Sequence, residues 1–147
     1  MDEPDRPRAS GHLELNLEAV KDYLSRQTGL SAAFLFGSFV TGRARRNSDV
    51  DVAVLYDRKA GNNYARFKDR LRMEDELEEI CRRRVQVVDL ECASPALQRQ
   101  VRKYGRILLE ADHGRRVEFE GRCRRTFLDM KDALALHTER RLRRLEV

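Results

Sequence analysis

Asp49 and Asp51, separated by one valine at the start of an apolar run from Val50 to Leu55, are the residues of this chain best suited to chemistry. In an extended strand residues i and i+2 project to the same face, so the two carboxylates stand side by side, roughly 6.6 Å apart along the backbone. At that spacing and an effective dielectric of about 20 their repulsion costs about 2.5 kcal/mol, and a divalent cation between them reverses its sign. Hard carboxylate oxygens in so small a number suit Mg2+, which keeps several waters and completes its shell with substrate phosphates.

A second apolar run, Leu30 to Phe36, stops at Gly37-Ser38. Glycine lets the backbone turn sharply and approach a ligand closely, and Ser38 opens a predicted helical turn over Ser38–Thr41 whose N–H groups and hydroxyl fit phosphate oxygens. An anion cradle followed closely by a metal-binding carboxylate pair is what transfer of a nucleotidyl group needs. One element holds the triphosphate, and the other neutralises charge on the attacked phosphorus. Arg43, Arg45 and Arg46 lie between the two, where a guanidinium either reaches the triphosphate or faces water.

Gly37-Ser38, ten intervening residues, then Asp49-Val50-Asp51, with Ser48 directly ahead, resembles the signature of the DNA polymerase beta-like nucleotidyltransferase superfamily. Length and element order resemble its minimal branch, the MntA-type antitoxins that accompany HEPN-domain toxins. The resemblance implies an α/β (α+β) fold, a small mixed sheet flanked by helices with a C-terminal helix. It also implies transfer of AMP from ATP, with two Mg2+ ions, to a tyrosine hydroxyl of a HEPN ribonuclease toxin held in a hetero-oligomer. Asp49 and Asp51 are then catalytic metal ligands, and Gly37, Ser38, Arg43, Arg46 and Ser48 bind the nucleotide.

Two-metal transfer works best with a third acidic ligand on a neighbouring strand. Asp89 is the candidate and completes the expected catalytic and metal-binding set. Similar minimal proteins often carry an aspartate that, aligned through Ala93-Ser94-Pro95, falls at Gln86 instead. Gln86 and Asp89 have opposite strand parity, so only one of them faces Asp49 and Asp51. The sequence leaves that choice open.

These residues need a scaffold. Residues 1–12, with Pro4, Pro7 and Gly11, read as a mobile leader. Leu13, Leu15, Leu17, Val20 and Leu24 predict a helix that ends before Gly29. After Leu55, a polar loop over 57–63 precedes a long helix to about Arg82, with Tyr64, Phe67, Leu71, Leu77 and Ile80 as its apolar face and a charged face toward solvent. Arg84 to Leu90 predicts a strand, Ser94-Pro95 opens a helix closed by Gly105, and Ile107 to Leu109 predicts a last strand. Residues 13–112 therefore form the expected catalytic domain, an α/β unit with a small mixed sheet. Residues 113–147 carry Val117, Phe119, Cys123, Phe127, Met130, Leu134, His137, Leu142 and Leu145 on one or two helices. That stripe packs on the sheet or serves a partner.

The 147 residues read as one domain, too short for a catalytic module with separate palm or finger domains. The 37% of charged residues and the absence of any apolar run of about 18 residues argue for a chain that does not enter membranes, in the cytoplasm. Cys81, Cys92 and Cys123 show no metal-ligand spacing and are expected as reduced thiols. The net charge of +5, mostly arginine, comes without an aromatic stacking platform, so direct nucleic-acid binding is not expected. His12, His113 and His137 are assigned no catalysis. Two other readings remain: a toxin-binding module that acts by occlusion, and a small-molecule adenylyltransferase of the aminoglycoside-modifying type.

Overall fold

A computed structural model describes residues 15–146, so the leader expected over residues 1–12 and the apolar position Leu13 lie outside the described residues. Helix α1, Leu17–Ser25, starts where the Asn16 side chain accepts the Ala19 N–H at 3.2 Å, and it buries Val20 and Leu24. Strand β1, Leu30–Phe36, follows and is buried along its whole length. A strand covered on both faces has no solvent side to alternate toward, which is why its sequence is a continuous apolar run.

A short helix α2, Ser38–Thr41, separates β1 from β2, Val50–Tyr56. Helix α3, Asn63–Cys81, leads to β3, Val85–Asp89, and α4, Pro95–Tyr104, to β4, Arg106–Glu110. The sheet order is β3-β2-β1-β4, with β1 antiparallel to both neighbours and β2 parallel to β3. The expected mixed sheet is thus present. One face, with Val50, Val52 and Val54, packs with α1 and α3 around Leu24, Met73 and Leu77. The other, with Phe34, Ala53 and Leu55, packs with Val101 of α4 and Phe119 of helix α5, His113–Leu145.

The apolar face expected of α3 is rotated. Met73 and Leu77 are buried, whereas Tyr64, Phe67 and Leu71 are exposed. The inward stripe is Arg66, Arg70, Met73 and Leu77, positions that share a helical face. Its two arginines turn toward Asp89. Nor does the charged surface of α3 serve solvent alone. Glu74 accepts the Val87 N–H at 2.9 Å and Glu78 the Val85 N–H at 3.2 Å, which satisfies the outer edge of β3 and blocks edge-to-edge pairing.

Helix α5 is a single element of 33 residues, about 50 Å long at 1.5 Å per residue. Asp112 caps its start by accepting the Arg115 N–H at 3.0 Å. Its buried residues are Arg115, Phe119 and Cys123, and every described residue from Leu128 onward is exposed. Only the first third therefore packs on the sheet. No helix among the described residues is long and apolar enough to cross a membrane. The three cysteines are unpaired.

Candidate active site

The antiparallel register sets Phe36 against Asp51, so Gly37, the next residue, turns over the Asp51 carboxylate. Gly37 has φ +77° and ψ −149°, a region that only glycine occupies without strain. A Cβ there would fall inside contact distance of Asp51 Oδ2 and 3.2 Å from its Cγ. The glycine is required twice, by the backbone torsion and by the carboxylate beside it.

Gly37 also caps α2. Its carbonyl accepts the N–H groups of Val40 and Thr41, at 3.1 and 3.2 Å. The amides of Ser38 and Phe39, in the first turn, have no acceptor within the helix and are the ones an anion can meet. Gly42, in the left-handed region at φ +76°, ends the turn, and the Ser38 carbonyl accepts both the Gly42 and Arg43 N–H groups.

The loop that carries the chain from Gly42 to Asp49 is closed by Ser48. The Ser48 hydroxyl accepts the Arg45 N–H at 2.7 Å, and the Ser48 N–H donates to the Arg45 carbonyl at 3.0 Å. Ser48 therefore shapes the loop. Arg83 donates from Nη1 to the carbonyls of Arg46 at 2.8 Å and Arg45 at 3.3 Å, and its guanidinium lies 5.1 Å from the Phe39 ring centroid. It joins the loop to α2. Within the triplet Arg82-Arg83-Arg84 nothing in the sequence distinguishes it. Arg43 and Arg46 are exposed on the same loop.

Asp49 is exposed and Asp51 half-buried. Burial, and then the neighbouring Asp49 charge, pushes the Asp51 carboxyl above the usual aspartate range. A carboxyl whose proton affinity is raised in this way is poised to exchange its proton for a cation.

Asp89 does not join them. In the parallel pairing of β2 with β3, Asp51 stands opposite Gln86, and Asp89 stands opposite Val54. Parity then sends Asp89 to the α3 face, where its side chain is 2% exposed and lies 3.5 Å from Arg66 and 3.6 Å from Arg70. Its Oδ1 accepts the Glu91 N–H at 3.0 Å and starts a short 3-10 turn, Leu90–Cys92. The expectation of Asp89 as third catalytic ligand is thus corrected. The signal that could have shown it is the pair Arg66 and Arg70 on the inward stripe of α3, which requires a buried acid. Among the described residues no group of three or more acidic, histidine or cysteine side chains is placed to share a metal.

A family model described as polymerase beta, nucleotidyltransferase matches residues 18–114, well over half of the chain. The chain belongs to the polymerase beta nucleotidyltransferase family. The matched span runs from α1 to the start of α5 and contains both motifs of the nucleotidyltransferase signature. Among solved structures, the chain is similar to one from a toxin–antitoxin crystal structure with AMP-PNP, at 26% identity, a TM-score of 0.60, and coverage of 90% of this chain and 100% of that one. A mutant MntA toxin–antitoxin complex matches at 24% identity and a TM-score of 0.59, over 90% of this chain and 100% of that chain. A Shewanella oneidensis complex of a tri-AMPylated HEPN toxin with its MNT antitoxin matches at 20% identity and a TM-score of 0.56, over 89% and 99%. The last two likenesses speak for the nucleotidyltransferase fold alone. A search of curated proteins found no match.

Proposed function

We propose that the chain is an antitoxin that transfers AMP from ATP, in the presence of Mg2+, to a tyrosine hydroxyl of a HEPN-domain toxin. The observation that carries this reading is the fit of Gly37 over Asp51, a cradle that a Cβ would fill, with the Asp49 charge acting on the same carboxylate. The donor set is hard oxygen and anionic, which suits Mg2+. Bound to Asp49 and Asp51, the cation would neutralise charge on the triphosphate and on the departing pyrophosphate.

The chain's own residues do the rest. The amides of Ser38 and Phe39 and the Ser38 hydroxyl hold phosphate oxygens at the start of α2. Gly37 keeps the triphosphate close to Asp51, and Arg43 and Arg46 reach its outer oxygens from the loop. The acceptor oxygen forms a bond to the α-phosphorus, the bond to the α,β-bridging oxygen breaks, pyrophosphate leaves, and the hydroxyl proton passes to solvent.

Support for ATP as donor comes from the relative solved with AMP-PNP. Support for the toxin as acceptor comes from the toxin–antitoxin relative solved with AMP-PNP and from the bare distal half of α5. There Leu128, Met130, Leu134, Leu136, Leu142 and Leu145 are all exposed. Isolated apolar side chains on a surface need no explanation, but Met130, Leu134, Leu142 and Leu145 fall within about 120° of one another around the helix, a stripe that supports a partner contact. Residues 13–112 then form the catalytic unit and residues 113–147 the partner contact. Incubation of the chain with α-labelled ATP, Mg2+ and its cognate HEPN-domain toxin should label that toxin, and an unlabelled toxin would count against the reading.

The same exposed helix favours a second reading, neutralisation by occlusion without transfer. Asp49→Ala with Asp51→Ala separates the two, because a toxin still silenced in cells by that variant is silenced by binding.

A further inference from the structure

Strand β3 lies beside β2 in parallel register, which sets Gln86 directly opposite Asp51, about 4.8 Å away across the strand pair and on the same face. Gln86 is exposed, so a side chain there is free to meet a bound nucleotide. A carboxylate at this point would join Asp49 and Asp51 in a three-acid cage of the kind that shares two metal ions. The chain has a neutral amide instead. Its only nearby substitute on β3, Asp89, is turned to the opposite face and held by Arg66 and Arg70. The amide oxygen of glutamine carries no net charge, so it neither offsets the cost of a second divalent ion nor accepts a proton at neutral pH.

We infer that Gln86 makes this a one-metal site: the chain binds a single divalent cation with the nucleotide and provides no protein ligand for a second one on the acceptor side. The inference rests on the reading of the site as a magnesium-nucleotide cradle. Two consequences follow for this chain's residues. Asp49 and Asp51 serve the donor nucleotide alone, and Gln86 contributes no base to the acceptor.

The test counts metal ions and needs no turnover. Mn2+ is titrated into the full-length protein saturated with an ATP analogue whose α,β-bridge is a methylene, and bound Mn2+ is measured by electron paramagnetic resonance. The expected result is one Mn2+ per chain and a spectrum without Mn–Mn coupling. Gln86→Asp, or Gln86→Glu if the shorter side chain does not reach, should raise the count to two and introduce dipolar coupling. Gln86→Ala should leave it at one. Two coupled ions in the unsubstituted chain, or a count that stays at one in both acidic variants, would overturn the inference and leave the cradle intact. Absence of any bound nucleotide or Mn2+ would overturn the cradle and the inference together.

Discussion

Gly37 lies against Asp51 so closely that a hydrogen is the only substituent that fits between the turn and the carboxylate. This contact links the phosphate-binding turn at the end of β1 to the metal-binding edge of β2. Gly37→Ala should therefore damage both halves of the site. The unfavourable torsion costs about 1–3 kcal/mol in stability, and displacement of Asp51 should weaken magnesium-dependent nucleotide binding by about 100-fold. Thermal melts and calorimetric titration of the variant measure the two effects separately.

Asp51 should act on stability in the direction opposite to its effect on binding. Its folded carboxyl titrates above the ordinary aspartate range, because it is partly desolvated and sits beside Asp49. A raised acid contributes stability while it is protonated, at low pH, and loses that contribution as pH rises through its folded value. At neutral pH, without metal, Asp51→Asn should accordingly melt higher than the unsubstituted chain, by about one or two degrees. The gap should close as the pH is lowered toward the acid range. With Mg2+ and ATP the order should reverse, since only the chain with the aspartate gains ligand stabilisation.

Asp89 serves the fold. Asp89→Ala leaves Arg66 and Arg70 without their buried counter-charge and removes the cap of the 3-10 turn at Leu90. The expected loss is about 2–3 kcal/mol, at or below the low end for a broken buried pair because both guanidiniums keep some solvent contact. Magnesium-dependent affinity of the protein that remains folded should be unchanged. A selective loss of metal binding with normal stability would show that Asp89 reaches the site.

Most of the fold could be read from the sequence, because β1 and β2 are apolar runs bordered by chemically distinctive residues and the four longer helices begin at side-chain caps. Ser38–Thr41 and the two strand ends that flank the motifs are where the sequence puts them. Two features were hidden. The inward face of α3 is mixed, with Arg66 and Arg70 continuing the stripe of Met73 and Leu77, so an apolar count selects Tyr64, Phe67 and Leu71 on the wrong side. The orientation of β3 depends on pairing register, and Val85-Gln86-Val87-Val88-Asp89 alternates too weakly to set it, because both of its faces are partly covered.

Arg83 should matter to the site without touching the nucleotide. Arg83→Ala removes its bonds to the Arg45 and Arg46 carbonyls and its stacking on Phe39. The loop between Gly42 and Asp49 should loosen, lowering stability by about 1 kcal/mol and nucleotide affinity by about 10-fold. Faster amide exchange confined to that loop and α2 would mark the effect as positional. Arg83→Lys should recover little, since an ammonium group cannot reproduce the guanidinium fork.

The distal half of α5 should contribute to partner binding and little to folding. Met130→Asp combined with Leu134→Asp alters two side chains that are half-exposed or more, so the melting temperature should stay within about two degrees. Association with the HEPN protein, followed by size-exclusion chromatography or calorimetry, should weaken by at least about 10-fold. Unchanged association would move the partner surface elsewhere.

The most direct test of the central claim is calorimetric titration of ATP into the full-length chain with and without Mg2+, repeated with Asp49→Asn plus Asp51→Asn. The geometry predicts saturable heat near one nucleotide per chain only when Mg2+ is present and both aspartates are intact. Equal heat without the metal, or from the double variant, would contradict it.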